Sequence, residues 1–193
     1  MRYRNIMQYL DLIDEIRNQF ISCFEQKIIE INGIRSYEIE PIKENQDGSL
    51  ILTQQLILPA RSDLAFIQHQ NQKQYIEVSS NGEPCFMTLE FDHRPGVYFK
   101  LSPFRWNRCA LYLNKDFPEW MPLINWYEDR FKAKPLNHSQ FSNCVHSLSD
   151  PNKITAVQHK LLIDLGTAPI AVFLELLDII PKMGVARFEI GTG

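Results

Sequence analysis

The sequence predicts an α+β fold: a long N-terminal helix, a mostly antiparallel meander sheet of six or seven strands, and a C-terminal helical cluster packed on one sheet face. Three observations carry this expectation. Apolar residues recur at helical spacing up to Ile31, polarity alternates in short runs between Ser36 and Asn114, and helical spacing returns after Asp116. The chain of 193 residues suits one domain over 1–193, with a helix in 1–33, a sheet in 36–114, helices in 116–182 and an edge strand over 185–190.

Ile6, Leu10, Ile13, Phe20, Phe24, Ile28 and Ile31 form the stripe of the first helix, and Asn32-Gly33 supplies residues that enter the left-handed conformation cheaply and so end it. Met7, Ile16, Ile21, Cys23 and Ile29 broaden the apolar face. That breadth fits a core helix covered on two sides, or a helix that completes its burial against a second copy of the chain.

The strands are expected at Tyr37–Glu40, Leu50–Leu58, Leu64–Ile67, Tyr75–Val78, Cys85–Phe91, Val97–Leu101 and Cys109–Leu113. Turn residues such as Asn45-Gln-Asp-Gly-Ser49 and Asp92-His-Arg-Pro-Gly96 separate them. These connections are too short for parallel crossovers, so neighbours should be antiparallel. Cys85, Met87, Leu89 and Phe91 should share the helix-facing side with Val97, Phe99, Leu101, Cys109, Leu111 and Leu113. After the sheet, Asp116-Phe-Pro-Glu119 opens a helix through Phe131. Further helical spacing occurs at Phe141–Leu148, at Ile154–Leu165 and from Pro169 to Ile180, with Val185–Ile190 as a final edge strand.

A net charge of −3 gives no basic footprint, so neither nucleic acid nor an anionic membrane is favoured as a partner. No signal-peptide pattern opens the sequence, and its most apolar stretch, Ala168–Ile180, contains Glu175 and Asp178 and is shorter than a membrane span. The four cysteines show no close pairing, which fits reduced thiols in a cytoplasmic protein.

Two loops concentrate chemistry. Phe104-Arg-Trp-Asn-Arg108 places Arg105 and Arg108 around Trp106, a combination able to hold phosphate, carboxylate or a stacked base, or simply to cap the core. Asp92, His93 and Arg94 bring a carboxylate, an imidazole and a guanidinium to one hairpin tip, the ingredients of proton transfer beside an anion. Residues adjacent in a strand point to opposite faces, however, and turn chemistry alone explains this composition. His138, Cys144, His146 and His159 match no common zinc spacing; Cys144 falls on the buried stripe of its expected helix, and the histidines read as surface or capping groups. Glu175 and Asp178 read as the exposed edge of an apolar helix.

With no recognised catalytic, metal or phosphate-binding motif, the expected function is a non-catalytic binding or accessory protein without cofactor or metal. It would use a protein surface or a small-ligand cleft between sheet and helices, with a protein partner, a small anionic ligand or a second copy as occupant. The alternatives are a small enzyme acting on an anion through Asp92, His93, Arg94, Arg105 and Arg108, and single-stranded nucleic-acid contact through Trp106 and its arginines.

Overall fold

The apolar stripe at the start of the chain becomes one unbroken helix in the computed structural model, α1 at Arg2–Ile31. The structure describes residues 2–33, 36–67, 73–80, 82, 84–132 and 141–192, with the backbone alone at 2–8, 67, 93 and 94. Tyr9, Ile13, Ile16, Phe20, Phe24 and Ile31 are buried along one side of α1. Ile21, Cys23 and Ile28 flank that stripe and pack partly on the same core. Asp11, Asp14, Glu15 and Asn18 occupy the solvent side, and Ile29, expected to broaden the apolar face, is 69% exposed.

The alternating region divides into two sheets. In the first, β1 (Tyr37–Ile39), β2 (Leu64–Ile67) and β3 (Lys73–Ile76) pair antiparallel in sequence order. The expected strand Leu50–Leu58 is absent. Its residues make only isolated pairings, Glu44 with Leu50 and Leu52 with Pro59, and Leu50, Ile51, Leu52 and Ile57 are exposed. The reason lies in Asp150, whose carboxylate accepts the backbone N–H groups of Gln54, Gln55 and Leu56 at 2.8–3.0 Å. Three successive N–H groups held by one carboxylate bend the chain away from a ladder.

The second sheet has seven strands: β4 (Leu89–Arg94), β5 (Val97–Leu101), β6 (Cys109–Asn114), β7 (Ser147–Leu148), β8 (Asn152–Thr155), β9 (Gln158–Asp164) and β10 (Arg187–Thr192). Its order is β4-β5-β10-β6-β9-β7, with β8 also pairing β9. Phe99, Leu101, Cys109, Leu111 and Leu113 are buried as their alternation requires. Cys85 and Met87 correct the expectation, since both are exposed, Met87 to 84%. They precede β4, where no ladder enforces alternation, and Phe86 packs on the core instead.

The sheet is not a simple meander. β10, expected at an edge, lies at the centre, parallel to β5 with Phe188 opposite Phe99 and antiparallel to β6 with Phe188 opposite Leu113. The long connection after β5 provides the crossover that a parallel pair needs. The helices expected at Phe141–Leu148 and Ile154–Leu165 are also corrected. The first ends in β7 and the second spans β8 and β9, where Gln158–Asp164 alternates in burial at every step. Leu161 and Leu165 satisfy a helical period, but His159, Leu161 and Ile163 satisfy a period of two, and pairing with β6 selects the latter.

α2 (Met121–Phe131) and α3 (Ile170–Ile179) complete the layer over the sheet. Phe173 of α3 stacks on Phe104 at 5.7 Å and meets Trp106 at 5.9 Å. Tyr9 of α1 packs on Phe91 and Phe99, which continue as a stack into Phe188. The Arg17 Nε–H donates to the Ala168 carbonyl at 2.9 Å and ties α1 to the approach to α3. Among the described residues, no helix is long and apolar enough to cross a membrane.

Asp150 gives a first test. Slight burial works against its charge, but the three N–H groups outweigh that and hold its pKa below the usual carboxylate value. A depressed carboxylate contributes stability that is present above the unfolded pKa, near 4, and lost as pH falls through the folded value. Asp150→Ala is expected to cost about 1 kcal/mol, the size of a lost helix cap. Urea midpoints of variant and parent, measured at pH 7, should differ and should converge in acid.

Candidate functional site

The strongest concentration of ionisable chemistry lies at the seam between the two sheets. Glu40 follows β1, Asp63 precedes β2, His146 precedes β7, Asp164 ends β9 and Thr167 precedes α3. Each sits at the end of an element, where the backbone is free to turn a side chain inward. Backbone hydrogen bonds fix the seam: Arg61 N–H donates to the His146 carbonyl at 2.8 Å, and His146 N–H donates to the Asp164 carbonyl at 2.9 Å. The Tyr127 hydroxyl also donates to the His146 carbonyl, at 3.2 Å.

The His146 ring is fully buried between carboxylates. Its Nε2 lies 2.8 Å from Glu40 Oε1, and its Nδ1 lies 3.0 Å from Asp63 Oδ1 and 4.0 Å from Asp164 Oδ2. Glu40 also accepts the Thr167 hydroxyl and the Ser142 N–H, with the Cys144 thiol at 3.6 Å. Glu40 has φ 51, a conformation uncommon outside glycine, and its buried hydrogen bonds hold it there.

The electrostatics follow from burial and pairing. Burial raises the Glu40 pKa, but His146, Thr167 and Ser142 outweigh it and bring the value to about 2. Burial opposes charge on His146, yet its contacts with Asp63, Cys144 and Glu40 and its proximity to Asp164 lift its pKa well above the usual imidazole value. Burial raises Asp63 against the opposing pull of His146, and raises Asp164 to about 7, helped by the neighbouring Asp63 charge. Burial likewise raises the Cys144 thiol, so it is no activated nucleophile. Two ligand-type groups result, Glu40 with Cys144 and His146, and Asp63 with His146 and Asp164. This constellation replaces the surface-histidine expectation for His146. His159 is also buried, with Nδ1 3.0 Å from the Lys115 carbonyl and its ring edge-on to Trp120. His138 lies outside the described residues.

The residues singled out from sequence fall elsewhere. Trp106 is completely buried, its indole N–H donates to the Gly166 carbonyl at 3.0 Å, and it offers no face to a base. Arg105 and Arg108 flank a tight turn closed by the Arg108 N–H to Arg105 carbonyl bond. Asp92 pairs opposite Tyr98, and the register shifts between Asp92 and Arg94. The side chains of His93 and Arg94 lie outside the described residues. Their hairpin tip and the Arg105/Arg108 turn stand at opposite ends of β5, five residues long, a separation of roughly 13 Å or more. Glu175 is paired with Arg130 at 2.8 Å. Compared with family models, curated proteins and solved structures, the chain finds no match.

Proposed function

We propose that this chain is a non-catalytic binding or accessory protein of the cytoplasm that docks a protein partner along the outer edge of β8. One observation carries the reading: three large apolar side chains are exposed at or beside an edge strand. Phe117 is 79% exposed, Val157 59% and Ile154 46%, and all four residues of β8 are exposed. Lys153 joins these parts, with its Nζ 2.8 Å from Asp116 Oδ1 and 5.5 Å from the Phe117 ring centre. A sheet edge offers a row of backbone donors and acceptors, and apolar groups beside it supply the energy of strand addition. The matching partner is an extended segment with apolar side chains.

The chemistry of the interior supports the same direction. His146, Glu40 and Asp63 are no more than 1% exposed, and the cluster reaches solvent at the edge of Asp164, 14% exposed, an opening suited to water or an ion and narrow for an organic substrate. An open hollow along α1 has Asp11, Asp14 and Glu15 in its lining and no basic side chain to balance them, which disfavours a small anion there. The cytoplasmic setting rests on four cysteines outside any disulfide.

A photo-crosslinking residue placed at Phe117 or at Val157 in cells producing the full chain should give an adduct of the same partner. Placement at Asp11 on α1 should not. Ile154→Arg should reduce the adduct at least tenfold while leaving Tm within about 2 °C, as expected of a surface change. A self-adduct would identify the partner as a second copy. Equal labelling from all three positions, or none, would discard the edge as a docking site.

A further inference from the structure

We propose that the seam between the sheets binds one divalent transition-metal ion, best matched by zinc, through His146 Nδ1, Asp63 and Asp164. The direction of the ring comes first. Glu40 is an acceptor to the Thr167 hydroxyl and the Ser142 N–H, so its contact with Nε2 requires the proton on that nitrogen. Nδ1 is then the nitrogen with the available lone pair. A carboxylate that orients an imidazole through one nitrogen while the other binds metal is a recurrent arrangement around metal sites.

What faces Nδ1 is the second observation. Asp63 Oδ1 is 3.0 Å away, a close charged contact, but the two atoms are not in hydrogen-bonding geometry and neither buried atom makes a hydrogen bond. Asp164 Oδ2 stands 4.0 Å from the same nitrogen. The other oxygen of each carboxylate is already anchored, Asp63 Oδ2 by the Val78 N–H at 2.6 Å and Asp164 Oδ1 by the Gly166 N–H at 2.9 Å. With the ring neutral at Nδ1, three lone-pair atoms converge with no donor among them. Without a metal, a proton on Nδ1 supplies charge but finds no acceptor along its bond.

The spacing suits an ion. All three ligand atoms lie within 4.8 Å of one another, which brackets the roughly 3.4 Å edge of a tetrahedron with bonds of about 2.1 Å. One imidazole and two carboxylates select a borderline ion such as zinc over magnesium or calcium, which prefer oxygen alone. Asp164, 14% exposed, opens the site on one side, where water completes the coordination. The opposite group, Glu40 with Cys144 and His146, is the poorer site because its nitrogen–carboxylate contact is a formed hydrogen bond. An ion on the Nδ1 side would fasten the start of β2 to the end of β9 and so act as a structural clamp.

The full chain, purified without chelator from zinc-supplemented medium, should carry close to one zinc per molecule by elemental analysis. Stripping it should lower Tm by about 10 °C, reversibly. Cobalt replacement should give visible d–d bands without a thiolate charge-transfer band in the near ultraviolet. Asp164→Asn, at the solvent side, should lose the metal and the response of Tm to zinc, whereas Cys144→Ser should keep both. A wild-type chain with no bound metal and no zinc-dependent shift in Tm would overturn the proposal, even if Asp164→Asn fails to fold. So would retention of zinc by Asp164→Asn, which marks an adventitious ion, or a thiolate band, which places the ion on the Cys144 side.

Discussion

Replacing His146 with leucine should cost about 3–5 kcal/mol, enough to remove much of the stability of an ordinary domain. The substitution conserves volume closely, so the loss is electrostatic. Glu40 and Asp63, both buried, would face each other's former partner position with no cation between them. A buried ion pair often adds little to stability compared with an apolar replacement, but removing one member alone leaves a charge that must be protonated or unfolded. Arg130→Ala provides the contrast. Its salt bridge to Glu175 joins side chains that are 38% and 41% exposed, so solvent screens it and the expected cost is below about 1 kcal/mol. Urea denaturation of both variants measures the difference. A His146→Leu midpoint matching that of Arg130→Ala would show that the seam carboxylates tolerate isolation.

Gly166→Ala should be nearly as damaging, although it adds a single methyl group. Gly166 has φ 52, and a Cβ built there would stand 2.3 Å from His146 Cδ2 and 2.6 Å from both Cγ and Nε2. The ring cannot retreat, because Glu40 holds one side and Asp63 closes the other. Left-handed backbone costs a residue with a Cβ about 1–2 kcal/mol, and forced overpacking adds about 1–3 kcal/mol. Gly33→Ala isolates the first contribution, since Gly33 has φ 82 with nothing within 4 Å of the added carbon. Thermal melts should therefore rank wild type above Gly33→Ala and Gly33→Ala well above Gly166→Ala. Equal losses for the two alanines would mean that His146 yields to the methyl group.

Much of the architecture is legible from local pattern. α1, β5, β6 and α3 each carry a periodicity that one face of the core demands, and their burial follows it. Where two periods overlap, the local signal fails. Val157, Leu161 and Leu165 satisfy a helix while His159, Leu161 and Ile163 satisfy a strand, and only the presence of β6 as a partner decides. The stretch Leu50–Leu58 fails for a different reason, because its backbone donors are captured by Asp150 from far along the sequence.

The seam was illegible for both reasons at once. Cys144 and His146, two residues apart, diverge on a helix but lie on one side of an extended chain, and both reach Glu40 Oε1. Once that segment reads as helix, the pair is lost. Glu40, Asp63, Asp164 and Thr167 leave no spacing signature, since tertiary structure alone brings them together. Phe104 to Arg108 stands at the other extreme. Its tryptophan suggested a binding loop, but packing against Phe173 and a bond to the Gly166 carbonyl make it core.

The central position of β10 bears on how the polypeptide is made. A ribosome delivers β4 through β9 before it delivers residues 187–192, so during synthesis the future neighbours β5 and β6 wait as two half-sheets with a strand-wide gap between them. Translation order thus holds back the closing step until the last strand emerges, and a nascent chain stalled before Arg187 would present two open borders to chaperones and to its neighbours on the same message.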